Sequence, residues 1–279
     1  MSPNLSEVLD FMTFCFDTKN LGYSALNTVR SALSTFIQID GVPVGSHYMI
    51  TRFMKGVYAC KPALPRNNVT WDTSVVLHYL KSLSPVKKLD IKELTMKSVT
   101  LTALLTGQRC QSLTLMDIRN IDCTTSGVKF RFGDILKQTR PGFQLSELHV
   151  KAFAPDRRLC LATVLSEYMD RVESYRGTVT HLFVTTKKPF KPASGQTISR
   201  WIKMTLASAG IDMAVFTPHS VRSASTSNAK VSHIPLATIL KTAGWSNAGT
   251  FARYYNKPID SAKTYSEVLL NNAMDSESQ

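Results

Sequence analysis

Three short segments, 118–123, 128–132 and 145–153, alternate apolar and polar residues with the period of a strand. They are embedded in a chain whose other ordered stretches space apolar residues three and four apart, the period of a helix. Gly127 and the run Arg140-Pro141-Gly142 supply the turns between the three segments. A chain with this pattern is restricted to a mainly α fold that carries a small antiparallel β-sheet, an α+β architecture.

The helical spacing begins at once. Residues 4–18 place Leu5, Val8, Leu9, Met12 and Phe16 along one side. Ser24 is expected to cap a second helix with Leu26, Val29, Leu33, Phe36 and Ile37 on its apolar side, and Gly41-Val42-Pro43 breaks it. A third helix is predicted over 47–58. Lys61-Pro62-Ala63-Leu64-Pro65 then holds two prolines in five residues, which excludes a regular helix and favours extended chain. The division this implies is a helical domain over 1–60, a linker over 61–69, a second domain over 70–265 and a tail over 266–279. Within the second domain, helices are predicted from Asp72 or Thr73 to Leu83, and over 90–105, 110–117, 157–174, 195–209, 218–231, 235–243 and 247–256. A short strand is predicted at 181–184. One more helix is expected over 262–271, with the last five residues disordered.

The charge balance points to a polyanionic partner. The net charge is +13 and the pI about 9.6. Residues 71–279 carry +11 of it, so the basic surface belongs mostly to the second domain. The five cysteines, Cys15, Cys60, Cys110, Cys123 and Cys160, are widely spaced, which argues against a disulfide framework or a zinc site. No apolar run reaches the roughly 18 residues that span a bilayer, and no membrane partner is expected. Met1-Ser2-Pro3-Asn4 shows no signal-peptide pattern.

The chemistry concentrates in Thr217-Pro218-His219-Ser220-Val221-Arg222. Thr217 suits an N-cap and Pro218 the first helical turn. His219 and Arg222, three apart, would then share a face at the positive end of a helix dipole. That describes a phosphate site with a proton-transfer group beside it. A tyrosine can attack a phosphodiester, but with an ordinary pKa near 10 it needs help. Guanidinium groups must neutralise the non-bridging oxygens, an acid must protonate the leaving alkoxide, and a hydrogen-bonding base must assist the phenol. The candidates are Arg109 and Arg222 for the clamp, His219 for proton transfer, Trp245 as an indole donor, and Tyr254 or Tyr255 as nucleophile. No metal and no cofactor are then required. Taken singly, each has a plainer reading: a surface arginine, a core tryptophan, packing tyrosines. Their joint occurrence on a basic chain favours the chemical one.

Thr106-Gly107-Gln108-Arg109-Cys110-Gln111-Ser112-Leu113 resembles the first-arginine box of the tyrosine recombinase family. His219-Ser220-Val221-Arg222 resembles its H-x-x-R box, and Ala243-Gly244-Trp245-Ser246 its L-G-H/W-S box. A tyrosine nine or ten residues later completes the set, and the helix–sheet–helix order between boxes also matches. The wording of Trp71-Asp72, of Leu159-Cys160 and of Tyr255-Asn256-Lys257-Pro258 is most similar to eukaryotic, transposon-related members of the Crypton and DIRS type. The resemblance covers essentially the whole chain.

It implies DNA strand cleavage and rejoining through a 3′-phosphotyrosyl intermediate. Double-stranded DNA would be the partner, bound by a two-domain clamp, with a dimer on one site, a tetramer in synapsis, and location in the nucleus. Arg109 and Arg222 would hold the scissile phosphate, His219 would transfer a proton and Trp245 would donate to a phosphate oxygen. A hairpin lysine would protonate the leaving oxygen; Lys137 is the best match and Lys129 the runner-up. The nine-residue spacing usual in bacterial members gives Tyr254, whereas the eukaryotic members that this chain most resembles place the tyrosine one residue later, before a run like Asn256-Lys257-Pro258; that resemblance favours Tyr255 as nucleophile over its neighbour Tyr254. One departure is Ser112, where the family usually has an acidic residue, and it leaves open a catalytically silent DNA-binding module derived from a recombinase. A metal-free enzyme of the topoisomerase IB kind would share the same chemistry.

Overall fold

The computed structural model describes residues 3–62, 67–133, 136, 139, 141–142, 145 and 147–260. The chain separates into two compact units, Met1–Arg66 and Asn67–Gln279. The tail segment 262–271 and its neighbours lie outside the described residues.

Among its described residues the first unit holds three α-helices, one hairpin and a 3-10 turn over Val44–Ser46. Helix α1 (Leu5–Asp17) starts in a capping box in which Asn4 and Glu7 each receive the other's backbone N–H. Helix α2 spans Tyr23–Phe36. It begins before the expected cap: Gly22 occupies the N-cap position without a side-chain bond, and Ser24 lies inside the helix with its carbonyl accepting from Thr28. The earlier start brings the Tyr23 ring edge-on to Tyr58, centroids 5.2 Å apart. Phe36 does not join the apolar side. The helix ends there, Phe36 is 86% exposed, and Ile37 packs from extended backbone instead. Strands β1 (Gln38–Ile39) and β2 (Val42–Pro43) form the hairpin, and α3 (Tyr48–Cys60) closes the unit, capped by the His47 ring. Val8, Met12, Leu26, Ile50 and Met54 make its core.

The second unit begins with β3 (Thr70–Trp71) and α4 (Thr73–Ser82), the latter capped by Asp72. Helix α5 (Ile91–Thr106) starts in a second capping box, Asp90 with Glu93. It is buried on nearly every side, although half its sequence is polar. The hydroxyls of Thr95, Thr102 and Thr106 donate to carbonyls one turn back, at 2.6, 2.7 and 2.6 Å, while those of Ser98 and Thr100 are buried without a partner among the described residues. The first three are thereby satisfied within the helix, and burying Leu94, Val99 and Leu101 contributes about 1.5–3 kcal/mol apiece.

Helix α6 (Cys110–Thr114) leads to the sheet of β4 (Ile121–Thr124), β5 (Gly127–Arg131) and β6 (Glu147–Lys151), antiparallel in that order. Phe130 of β5 faces inward between Ile121 and Leu148, while Lys129 is exposed between Asp122 and His149. The first strand is shorter than predicted, because residues 118–120 form a 3-10 turn. Helices α7 (Leu161–Arg176) and α8 (Gly195–Ser208) follow. The segment 181–184 between them is not a strand. Leu182, Phe183 and Val184 are buried, but the partners are scattered: Leu182 N–H donates to Met116 and Val184 N–H to the Tyr168 hydroxyl. Only isolated bridges form there.

The last elements are α9 (Ser220–Val231), α10 (Leu236–Ala243), α11 (Ala248–Tyr254) and β7 (Ile259–Asp260). Strand β7 pairs in parallel with β3, Thr70 opposite Ile259 and Trp71 opposite Asp260. Two-residue strands carry no readable period, so this pairing has no sequence signal.

Lys97 of α5 is fully buried and donates to the Leu83 carbonyl at 2.6 Å. Burial lowers its pKa to about 8; Asp156 opposes this and Arg158 adds to it. The folded state therefore binds this proton less tightly than the unfolded state. The penalty is complete below pH 8 and is relieved as pH rises towards 10.5. Denaturation midpoints are expected to show a stabilising contribution across that window, at most about 1.4 kcal/mol per pH unit. Lys97→Met should remove that contribution; identical slopes in both proteins would refute it.

Candidate active site

The start of α9 is built differently from the expected Thr217 cap. His219 occupies the N-cap position with near-helical dihedrals, φ −67° and ψ −22°, and the regular helix begins at Ser220. The first amides are satisfied by short turns: Ser220 N–H donates to Thr217 at 2.8 Å, Val221 to Pro218 at 3.4 Å, and Arg222 to His219 at 3.2 Å. These i→i−3 bonds leave the Thr217 hydroxyl no capping role. The Trp71 indole donates to Ser220 Oγ at 2.8 Å, which ties this end of α9 to β3.

Arg222 is 1% exposed, so it does not share an open face with the exposed His219. Its guanidinium reaches across to two helix ends, donating to the Gly107 carbonyl and, at 2.7 Å, to the Ala243 carbonyl. Gly107 closes α5 at φ +61° and Gly244 closes α10 at φ +70°, both left-handed, where glycine avoids the Cβ penalty. The last carbonyls of a helix carry the negative end of its dipole, which suits a cation. The glycines of two separate sequence boxes thus serve one purpose: each ends a helix so that its carbonyls meet Arg222. Burial first, and the nearby Arg109 charge second, bring the Arg222 pKa down to about 9, with Tyr255 acting in the opposite sense. It remains a cation at neutral pH.

Arg109 is half-buried at the N-cap position of α6, close enough to Arg222 for their charges to repel. Two like charges held together favour an anion between them. Trp245 lies over the Arg222 guanidinium, 4.0 Å from ring centroid to Cζ. Arg222 Nε and Trp245 Nε1 are both buried donors with no acceptor among the described residues. Phosphate oxygens offer such acceptors.

Tyr255 completes the group. Its hydroxyl is 3.2 Å from His219 Nε2, and its ring is 4.6 Å from Trp245 and 5.4 Å from the Arg222 Cζ. Tyr254, the last residue of α11, is 56% exposed and lies against Arg253. Lys137 lies outside the described residues. Lys129 projects from the middle of β5.

Gln108 was not singled out by sequence. It is buried, and its Nε2 donates to the Thr242 carbonyl at 2.8 Å, joining the Arg109 loop to the end of α10. Its place inside the first-arginine run was the available signal. Ser112 is also buried, on α6.

A family model described as the phage integrase family matches residues 77–260. No curated protein matches the sequence significantly. Among solved structures, the fold is similar to XerH site-specific recombinase bound to palindromic difH substrate in a post-cleavage complex. That match is 13% identical, covers 99% of this chain and 73% of the other, and has a TM-score of 0.61. A Tn1549 transposon integrase in complex with transposon right end DNA is 13% identical over 98% of this chain and 85% of the other, TM-score 0.61. A lambda integrase dimer bound to a COC′ core site is 15% identical over 94% and 83%, TM-score 0.53. At these identities the likeness is one of fold.

Proposed function

The chain belongs to the phage integrase family of tyrosine recombinases, and on that premise we propose that Tyr255 cleaves DNA at a phosphate held by Arg109 and Arg222. The phenol oxygen bonds to phosphorus and the bond from phosphorus to the 5′-oxygen breaks. The phenol proton passes to His219, and a hairpin lysine, Lys137 or else Lys129, protonates the departing oxygen. Trp245 donates to a phosphate oxygen. One phosphodiester is exchanged for another, so a 5′-hydroxyl from a second strand can reverse the step without external energy. Guanidinium groups placed in advance stabilise the developing charge, a term on the order of 3–4 kcal/mol per donor. The observation that carries this reading is the 3.2 Å approach of the Tyr255 hydroxyl to His219 beside the Arg222–Trp245 stack.

Residues 1–60 are proposed as a helical DNA-binding domain and 70–265 as the catalytic domain. The +11 charge of residues 71–279 supports phosphate contacts and strongly salt-dependent binding. The DNA-bound dimers and tetramers among the solved structures favour a dimer on each site and a tetramer in synapsis. The finer reading is a nuclear recombinase of Crypton or DIRS type, supported by the wording of Tyr255-Asn256-Lys257-Pro258 and the related runs. The test uses a pool of nicked duplexes with randomised sequence around the nick. Adducts that survive denaturation are recovered and sequenced. A site-selective adduct is expected. Salt-sensitive binding with no adduct from any duplex would instead make the chain a silent DNA-binding module, for which Ser112 is the motivating residue.

A further inference from the structure

We propose that Ser227 is a positioning residue for the nucleophile, holding the backbone of Tyr255 and Lys257 to the helix that carries Arg222; this rests on the reading of Tyr255 as nucleophile. Helix α11 has only seven residues, too few to be stable alone. Tyr255 follows its last turn, with φ −126° and ψ −21°. The approach of the phenol to a bound phosphate therefore depends on what holds the main chain at this break. Ser227 Oγ donates to the Tyr255 carbonyl at 2.7 Å and accepts from the Lys257 N–H at 3.0 Å. Ser227 is 1% exposed, so water does not compete for either bond. Its hydroxyl is both donor and acceptor here, which fixes its rotation as well as its distance.

The placement matters as much as the bonds. Ser227 lies five residues after Arg222 on α9, so one rigid element presents the phosphate-binding guanidinium and also anchors the tyrosine's main chain. Beyond Lys257 the chain is held again, by the Thr70 N–H on the Pro258 carbonyl at 2.8 Å and by Lys257 Nζ on the Asn67 carbonyl at 2.7 Å. Those bonds hold the strand that follows. The Tyr255 backbone also bonds within its own segment, its N–H to the Phe251 carbonyl at 2.9 Å and its carbonyl from the Lys257 N–H at 3.0 Å, but Ser227 is the group that ties it to α9, and a slip of one residue there would present Tyr254 in its place.

The experiment compares the isosteric pair Ser227→Thr and Ser227→Val in the full chain. Both add bulk and only threonine keeps the hydroxyl. The probe is the nicked duplex recovered from the randomised pool, and the single-turnover rate of adduct formation is measured at saturating protein. Threonine is expected to keep the rate, and valine to lower it about 10–100-fold, the cost of an ångström-scale misplacement. DNA affinity should be equal in the two. Equal rates would overturn the proposal. So would a valine defect confined to affinity or melting temperature, because that is the signature of a general structural role. Absence of adduct in the parent would instead remove the nucleophile assignment, and this proposal with it.

Discussion

Tyr255→Phe is expected to abolish the covalent protein–DNA adduct, while Tyr254→Phe keeps it. Phenylalanine preserves the ring that packs 4.6 Å from Trp245, so the fold and the Arg222 stack should persist. What is lost is the oxygen 3.2 Å from His219. Removing a nucleophile costs on the order of 10⁴–10⁶ in rate, which reads as no adduct on a denaturing gel. Tyr254 is 56% exposed and lies against Arg253, so losing its hydroxyl should change the rate by less than about tenfold. Adduct persisting in Tyr255→Phe and vanishing in Tyr254→Phe would reverse the assignment. The same gel reports both variants.

The second large effect concerns Arg222, which holds the fold and the phosphate site at once. Arg222→Ala leaves the Gly107 and Ala243 carbonyls without their donor and opens a cavity under Trp245. The expected destabilisation is about 3 kcal/mol, a fall of roughly 6–12 °C in melting temperature for a unit of this size. Cleavage should fall a further 10²–10³-fold, roughly the cost of losing one charge-stabilising donor. Arg222→Lys keeps the charge, but an ammonium lacks the planar fork that serves two carbonyls. It should recover part of the stability and little of the rate. Parent-like melting and adduct yield in Arg222→Ala would show that the buried guanidinium serves neither purpose.

Much of the site was legible because its signals are local. Gly107 and Gly244 each follow a helical run, where a left-handed residue ends a helix. The expectations that failed were also local readings, overridden by packing. Thr217 and Ser24 are good caps by type. At Thr217 three short turns satisfy the amides first, and at Ser24 the helix starts earlier, where Tyr23 meets Tyr58. Phe36 fits the helical stripe by number, but the helix stops there and leaves it outside. The segment 181–184 has strand composition and is largely buried, yet among the described residues it pairs only through single bridges, His181 with Asp117 and Val184 with Pro192, too short for a ladder.

By itself the sequence determined the mainly helical fold with its three-stranded sheet, the basic second unit, and the order of the arginine, histidine, tryptophan and tyrosine boxes. Those properties depend on residues within a turn or two of one another, where period, cap and charge are set. Only the tertiary structure decided that Arg222 is buried against the ends of α5 and α10, that Ser227 grips the chain at Tyr255, and that β3 pairs with β7. It also decided which of two adjacent tyrosines stands beside His219. Those contacts join residues far apart in the chain. Each depends on how whole helices pack, because a side chain's partners are chosen by the three-dimensional neighbours that burial brings to it.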